Sequence, residues 1–379
     1  MRIALLTPGF SADESDWCIP ALLDLVRELA REHDVHVFTL RYPHRSVVYQ
    51  VYGATVHALG GATAGGLRRL PLLARALATI GRQHRRAPFD VLHGLWADEP
   101  GFLAVTSGRL LGAPSVVSLL GGELVGFADI GYGGQLNLAN RWLSGQALRP
   151  AGRVTVGSAT LAALAVDYVA EERLVTLPLG VDTALFTPQT LRVCGKPEGS
   201  GPRLLHVASL SPVKDQATLL QALALVVQEL PDVRLRMVGY GPLRDVLAAQ
   251  IDALDLAAHV SFDGDVAHDL LPDLYRAADL FVLSSRYESQ SLVALEAAAC
   301  GCPVVGTAVG LLPELLGPQQ LAPVGDAPAL AAAMLRLLRD PAARALAADE
   351  AHARVAQRFA LRQTVPALVA LYQTLCQAP

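Results

Sequence analysis

Two glutamates, Glu288 and Glu296, stand eight positions apart in the segment RYESQSLVALEAAACGCPVV, and their type and spacing suit ligand chemistry. Between Ser289 and Pro313 the only charged side chain is Glu296. A segment that is apolar on nearly every face predicts a buried helix. A carboxylate carried into such a helix needs hydrogen-bonding partners, because an unpaired buried charge is costly. Since the sequence offers no obvious basic partner nearby, we expect a ligand that carries hydroxyl groups.

Glu288 stands just before the same predicted helix, which Ser289 or Ser291 would cap. The start of a helix offers backbone N–H groups and the positive end of the dipole, and both favour phosphate. Phosphate at the helix start, with one polyol near Glu288 and another near Glu296, is the order of groups in a sugar nucleotide. The structural alternative is that Glu288 only complements the helix dipole and that Glu296 pairs with a distant arginine.

A lysine and several glycines follow other predicted strands. In RLLHVASLSPVKDQATLL, Lys214 comes just before a predicted helix. A cation opposes the helix dipole there, which a bound diphosphate would explain; the alternative is an exposed lysine in a polar loop. Gly239 and Gly241 follow another strand, and Gly9 follows the first, where backbone can approach a phosphate. Neither segment is GxGxxG, which argues against a nicotinamide dehydrogenase.

Polar residues also follow two predicted strands in the first half of the chain. HGLWADEPG carries His93 and Asp98, and SLLGGELVGF carries Glu123. Because both segments follow strands, we expect these side chains on the first-domain side of a cleft. For His93 the alternative is a core histidine with satisfied ring nitrogens.

Composition and charge limit the class of protein. The chain has 379 residues, of which 52% are hydrophobic and 17% charged, enough for two or three domains with large cores. A net charge of −4 gives no general attraction to nucleic acid, and we find no nucleic-acid motif. The five scattered cysteines predict neither a disulfide framework nor a metal site. The opening MRIALLTPGF lacks the features of a signal peptide and no long apolar run follows, so we predict a cytoplasmic protein.

Short apolar runs alternate with helical patterns along the whole chain. This alternation predicts an α/β protein with two doubly wound domains, whose parallel sheets are covered on both faces and face a cleft. We place the first domain at residues 1–190, with a closing helix at 360–379, and the second at residues 191–359. Ligands of open parallel sheets bind at the carboxyl ends of the strands, where the Glu288 segment falls.

Six arginines between Arg68 and Arg86 are interleaved with the apolar run LPLLARALATI. A basic amphipathic helix can lie on an anionic bilayer, so peripheral contact with the inner face of a membrane is one hypothesis. A solvated helix face is the alternative.

The second half of the chain resembles the retaining glycosyltransferases of family 4, the glycosyl transferases group 1. The resemblance rests on PLGVDTALF, SLSPVKD, GYGP and DLFVLSSRYESQSLVALEAAACGCPVVGTAVGLLPEL, and it extends over about residues 150 to 375. It implies the GT-B fold, in which two Rossmann-like domains face a cleft and the closing helix crosses back to the first domain. It also implies metal-independent transfer of a hexose, with retention, from a nucleoside diphosphate sugar to an acceptor hydroxyl, without a cofactor.

The resemblance implies a role for individual residues. Lys214 would bind the donor diphosphate, Glu288 would lie at the donor sugar, and Glu296 would hold the ribose hydroxyls. Backbone around Gln290, Ser291 and Leu292 would meet phosphate or sugar. Gly9, Ser209 and Gly239 complete the candidate donor-site positions. The candidates for the acceptor side, from their places after strands of the first half, are His93, Asp98 and Glu123.

The chain departs from the family pattern at several positions. Ser209 stands where the family usually has arginine, and Leu120 aligns with its usual histidine. Ser289, Gln290 and Ser291 replace its Gly-Phe-Gly. These departures support a rival hypothesis of a non-catalytic sugar-nucleotide-binding partner subunit. A sugar-nucleotide epimerase of the same fold is a further alternative.

Overall fold

The computed structural model describes residues 1–61, 69–188 and 201–377. The chain divides into two compact units, one formed by Met1–Leu179 with the closing helix and the other by Gly180–Ala360. The predicted domain boundary between residues 190 and 191 lies outside the described residues, as does Arg68 of the basic segment.

The first unit is built on an eight-stranded sheet in the order β3-β4-β2-β1-β5-β6-β7-β8. Its strands are Arg2–Gly9 (β1), Asp34–Tyr42 (β2), Ser46–Val51 (β3), Ala54–Leu59 (β4), Val91–Leu95 (β5), Ser115–Leu119 (β6), Arg153–Val156 (β7) and Leu174–Thr176 (β8). Its first five helices are Pro20–Leu29 (α1), Leu70–Arg86 (α2), Glu99–Leu111 (α3), Leu138–Leu148 (α4) and Ala159–Ala165 (α5). β3 runs antiparallel to β4, whereas β1 pairs in parallel with both β2 and β5. The order of strands reverses between β1 and β5, so the loops after these two strands flank the switch point of the sheet.

The second unit has a six-stranded parallel sheet in the order β11-β10-β9-β12-β13-β14. Its strands are Arg203–Val207 (β9), Arg234–Val238 (β10), Val260–Gly264 (β11), Leu280–Leu283 (β12), Val304–Thr307 (β13) and Leu321–Ala322 (β14). Its helices are Gln216–Glu229 (α6), Arg244–Ala253 (α7), Leu271–Ala277 (α8), Leu292–Ala299 (α9), Leu312–Leu315 (α10), Ala327–Arg339 (α11) and Pro341–Arg354 (α12). Here the switch point lies between β9 and β12.

Burial explains why the strands carry continuous apolar runs. All five residues of β5 and of β6 are buried, as are all four of β12. A strand covered on both faces cannot alternate apolar and polar side chains, which is the pattern of a parallel sheet between helix layers. The predicted α/β class with two doubly wound units is confirmed.

The closing helix, Leu361–Gln377 (α13), packs in the first unit. Leu368 and Tyr372 belong to the same buried cluster as Leu22 and Val26 of α1. The Thr364 hydroxyl donates to the Leu179 carbonyl at 3.0 Å. The prediction that the last helix returns to the first domain is therefore confirmed.

The apolar side of α2 faces the core of the first unit. Leu72, Ala76 and Ile80 are buried there. The exposed arginines of this helix are Arg75, Arg82, Arg85 and Arg86. An amphipathic helix binds a bilayer through its apolar face, which α2 uses for packing instead. Among the described residues no helix combines the length and the apolar character needed to span a membrane.

Candidate functional site

Lys214 and Glu288 meet at the switch point of the second sheet. Lys214 ends a 3-10 turn, Pro212–Lys214, after β9, and Glu288 lies in the loop after β12. The Lys214 ammonium donates to Glu288 Oε1 at 2.7 Å, and the Ser285 hydroxyl donates to the same oxygen at 2.6 Å. An ammonium has three N–H donors, so one bond to Glu288 leaves two that can reach phosphate oxygens.

The backbone on both sides of Lys214 is fixed. Its carbonyl accepts from the Ser284 hydroxyl at 2.9 Å, and the Val213 carbonyl accepts from Arg286 N–H at 2.8 Å. Asp215 caps α6 in a left-handed conformation, with φ of 47°. Lys214 is thereby held beside the start of a helix, where its charge opposes the dipole. The Glu288 carboxylate offsets that cost, so the ion pair accounts for Lys214 structurally as well.

Ser209 and Gly239 follow the neighbouring strands β9 and β10. The Ser209 hydroxyl lies 3.1 Å from the hydroxyl of Ser211. The Ser209 carbonyl accepts from the Gln216 side-chain amide at 2.9 Å. Gly239 has φ of +125°, and a Cβ there would lie 2.1 Å from the carbonyl oxygen of Ala208. The close approach of these two backbone segments therefore requires glycine at position 239.

We expect Gly239→Ala to lower the stability of the second unit by about 2 to 3 kcal/mol, because it adds a clash to a strained φ. Thermal unfolding should then shift downward by roughly 5 to 10 °C. Gly264→Ala is the matched control, since Gly264 also has a positive φ of +71° but an added Cβ there meets nothing within 4 Å. Equal shifts for the two variants would show that the approach to Ala208 does not matter.

The start of α9 combines a strained residue with a buried hydroxyl. Ser291 occupies the N-cap position with φ of 73°, but its side chain makes no capping bond, so the predicted capping by Ser291 is wrong. Its hydroxyl is shielded from solvent and has no hydrogen-bond partner among the described residues. A Cβ on Gly310 would lie 2.8 Å from this hydroxyl, so glycine there makes room for it. Gln290 and Leu292 flank Ser291, and the first N–H groups of a helix lack partners within it.

Glu296 lies one turn into α9 and is 8% exposed. Its Oε2 accepts from the Tyr275 hydroxyl at 2.8 Å, and His268 Nε2 lies 3.2 Å from its Oε1. These partners come from α8 and from the 3-10 turn His268–Leu270 before it. Glu296 thus has protein partners that lie far from it along the chain, and neither is the distant arginine of the structural alternative. A carboxylate can accept about four hydrogen bonds, so capacity remains for ribose hydroxyls.

His93 lies in the core of the first unit, at 1% exposure. Its Nδ1 is 2.6 Å from the Tyr372 hydroxyl on α13, and its Nε2 is 2.7 Å from the Ser118 hydroxyl. Burial lowers the pKa of His93 to about 3, so the ring is neutral. The acceptor-side interpretation does not fit this placement, because both ring nitrogens are engaged inside the core. The core-histidine alternative describes it.

Gly9, Asp98 and Glu123 also belong to the first unit and lie at the carboxyl ends of β1, β5 and β6. Gly9 packs beside Tyr42, whose Cβ would lie 3.3 Å from an added Cβ. Asp98 and Glu123 line a cavity of about 270 Å³. The structure thus brings Lys214, Glu288 and the start of α9 to one edge of the second sheet, and Asp98 and Glu123 to one cavity of the first unit.

Three partners of Glu288 and Glu296 were not predicted from the sequence: Ser285, Tyr275 and His268. Ser285 stands three residues before Glu288, and that proximity was a usable signal. Tyr275 and His268 are 21 and 28 residues from Glu296, and the pairing depends on the packing of α8 beside α9.

The two Rossmann-like units define the class of protein. Residues 192–354 match the family described as Glycosyl transferases group 1, and residues 19–180 match the Glycosyl transferase 4-like domain. The chain belongs to the group 1 glycosyltransferases of the GT-B fold, and the predicted resemblance is confirmed.

Relatives and solved structures agree with this assignment. The chain is 32% identical over 230 residues to MMP alpha-(1->4)-mannosyltransferase of Mycolicibacterium hassiacum, covering 58% of this chain and 53% of that one. It is 36% identical over 229 residues to D-inositol 3-phosphate glycosyltransferase of Kineococcus radiotolerans, covering 54% and 52%. The chain thus spans about half the length of these curated relatives. Sucrose-phosphate synthase from Thermosynechococcus elongatus has the same fold, with a TM-score of 0.78, 22% identity and 99% of both chains covered.

Proposed function

We propose that this protein moves a hexose from a nucleoside diphosphate sugar to an acceptor hydroxyl, with retention of configuration and without a metal ion or cofactor. Family membership supports the transfer, and the mannosyl transfer in the name of one relative supports a hexose. The observation that carries the proposal is the 2.7 Å contact between Lys214 and Glu288 at the switch point of the second sheet. Ligands of such sheets bind in the crevice at this point.

The diphosphate, ribose and sugar of the donor can be placed along the second unit in one order. Its diphosphate would lie between Lys214 and the start of α9, where the Ser291 hydroxyl is buried without a partner among the described residues. Its ribose hydroxyls would donate to Glu296, and its sugar would lie beside Glu288. The Ser209, Gly239 and Gln290 backbone completes the edge of this site. In this scheme the first unit, with Asp98 and Glu123, receives the acceptor.

The reaction needs no nucleophilic side chain. The acceptor oxygen bonds to the anomeric carbon on the face that the diphosphate leaves, and the departing phosphate takes the acceptor proton. Positioning and charge stabilisation are then the protein's tasks. Lys214 and the N–H groups at the start of α9 would stabilise the charge that grows on the leaving diphosphate.

Calorimetric titration with UDP, GDP and ADP tests the donor site first. Selective binding of one nucleotide identifies the donor class, and release of that nucleotide from its sugars with a panel of acceptors then measures transfer. We expect retained anomeric configuration by NMR and full activity in EDTA. Binding of a nucleotide without its release from any sugar would favour the partner-subunit alternative. The departures at Ser209 and Leu120 support that alternative. Interconversion of the donor sugar without an acceptor would favour an epimerase.

Contact with an anionic membrane is a separate proposal, supported by the exposed arginines of α2. Because the apolar face of α2 is buried, this contact would be electrostatic and lost at high salt. We expect sedimentation with phosphatidylglycerol vesicles, and not with phosphatidylcholine vesicles, at low ionic strength. Replacing Arg82, Arg85 and Arg86 with glutamine should abolish it. Equal sedimentation of this variant and the original protein would contradict the proposal.

A further inference from the structure

The cavity that Asp98 and Glu123 line has a distinctive chemistry. Its walls carry an indole, a phenol, an amide and a hydroxyl besides the two carboxyls. The side chains that supply these groups are Trp96, Asp98, Glu123, Tyr132, Asn140 and Ser144. The lining residues, all within the described range 69–188, include two acids and no base. An aromatic wall with a few hydrogen-bonding groups is typical of a small-molecule site.

Asp98 has a buried oxygen that the fold does not satisfy. It occupies the N-cap position of α3, yet its side chain makes no capping bond to the helix. Its Oδ1 is shielded from solvent and has no hydrogen-bond partner among the described residues. Buried polar atoms in native proteins are nearly always hydrogen-bonded, because an unsatisfied one costs about 1 to 3 kcal/mol. This oxygen therefore requires a donor that the fold does not supply.

Glu123 adds a carboxyl to the cavity wall that is already hydrogen-bonded, and burial raises its pKa. Its Oε1 accepts from the N–H groups of Ala97 and Leu120, at 3.3 and 3.1 Å, and its Oε2 accepts from Gly121 at 2.7 Å. Burial, then the charges of Glu123 and Glu99, raise the pKa of Asp98 to about 7. A ligand that brought a further negative charge would disfavour ionisation of Asp98 in the same way.

Two guanidinium groups beside the cavity wall, those of Arg41 and Arg69, contact another carboxylate, that of Glu99. Arg41 contacts both oxygens of Glu99, at 2.8 and 2.6 Å, whereas Arg69 Nε lies 3.4 Å from Glu99 Oε1 and makes no hydrogen bond among the described residues. Arg69 also donates to the Asn140 side chain at 3.3 Å. Glu99 is 6% exposed, so releasing either arginine to bind a phosphate would leave a buried charge poorly compensated.

The backbone holds the cavity wall in a strained form. Trp96 has φ of 78°, which is rare for a bulky residue and costs about 1 to 3 kcal/mol. Its N–H donates to Ser118 at 3.0 Å and its carbonyl accepts from Gly101 at 2.9 Å, so both sides of the residue are fixed. On the opposite wall a Cβ at Gly122 would lie 2.8 Å from the Tyr132 ring. Such strain is retained where a side chain must be aimed.

We infer that this cavity binds an unphosphorylated acceptor rich in hydroxyl or ammonium groups, with Asp98 as the residue that selects it. The inference rests on the proposed function, because it names the acceptor class of that reaction. A ligand hydroxyl or ammonium donates to the Asp98 carboxyl, whose rotation brings Oδ1 to the cavity and supplies the missing hydrogen bond. A phosphorylated acceptor is disfavoured because the cavity lining supplies two acids and no base, while Arg41 and Arg69 contact Glu99.

Two matched pairs of probes test this inference: glucosamine against glucosamine 6-phosphate, and myo-inositol against myo-inositol 3-phosphate. Binding is followed by the fluorescence of Trp96 in a Trp17→Phe, Trp142→Phe background. We expect at least one unphosphorylated probe to bind, and each phosphorylated partner to bind at least tenfold more weakly. Asp98→Asn should weaken binding of the unphosphorylated probe at least tenfold. Asp167→Asn, which removes an exposed carboxylate of the same unit, should leave binding unchanged.

Tighter binding of the phosphorylated probes would overturn the inference, as would an unchanged affinity in Asp98→Asn or no binding of any probe. Nucleotide titration of the same proteins separates this outcome from failure of the proposed function. If a nucleotide binds and no probe does, the acceptor inference fails and the transfer proposal stands. If probes bind through Asp98 and no nucleotide binds, the inference on the ligand class of the cavity stands and the transfer proposal fails.

Discussion

Replacing Lys214 with methionine is expected to lower kcat for sugar transfer by about 100- to 1,000-fold, or about 3 to 4 kcal/mol of transition-state stabilisation. The leaving diphosphate gains charge as the glycosidic bond breaks, so an ammonium beside it matters more in the transition state than in the bound donor. Nucleotide affinity should therefore fall less than kcat, by roughly tenfold. Steady-state kinetics and calorimetry measure the two effects separately.

Loss of stability would not explain this result. The Lys214 and Glu288 side chains are 22% and 11% exposed, and removing the lysine leaves Glu288 hydrogen-bonded to Ser285. A partly exposed ion pair contributes about 1 kcal/mol or less to folding. Ser285→Ala is the matched control: it removes the other Glu288 contact and should leave kcat within a few fold. A Lys214→Met protein with unchanged kcat would show that the ion pair is only structural.

Ser209, which stands where the family usually has arginine, affects how the Lys214→Met result is interpreted. The family's usual arginine there would bring a second cation to the end of β9, next to the turn that carries Lys214. With serine at this position, the proposed stabilisation of the diphosphate would rest on Lys214 and on the N–H groups at the start of α9. Ser209→Arg is then a gain-of-function control for the same chemistry.

Sequence patterns predicted the parts of the candidate donor site that depend on strand order. Apolar runs located the strands, and the rule that ligands bind at their carboxyl ends placed Lys214, Gly239 and Glu288 at one edge. The 2.7 Å contact joins residues 74 positions apart, and no local pattern encodes it. It follows from the pairing of β9 with β12, which only the topology sets.

Side-chain environments were harder to predict than positions. Glu296 was correctly expected to be buried, because its neighbours along the chain are apolar. Its partner Tyr275 could not be found, since nothing in the sequence shows which face of α8 meets α9. For His93 the deciding contact is Tyr372, 279 residues later on a helix that returns to the first unit.

Replacing Glu296 with glutamine is expected to weaken nucleotide binding by about 10- to 30-fold, or about 1.5 to 2 kcal/mol. Glutamine keeps the length of the side chain and an oxygen that can accept from Tyr275. It loses the charge that makes hydrogen bonds from the ribose hydroxyls strong. Glu296→Ala would weaken binding as well, but it would also leave the buried Tyr275 hydroxyl without its acceptor.

Tyr275→Phe separates the two roles of the Glu296 carboxylate. This change removes the 2.8 Å bond between the two side chains and leaves the carboxylate available to ribose. Tyr275 is fully buried, so we expect the free energy of unfolding to fall by about 1 kcal/mol while nucleotide affinity changes less than threefold. Calorimetry and thermal unfolding of both variants give the comparison. Tyr275→Phe could instead weaken nucleotide binding as much as Glu296→Gln does. The Glu296 carboxylate would then serve the packing of α8 against α9, and the ribose would have to be bound by other residues.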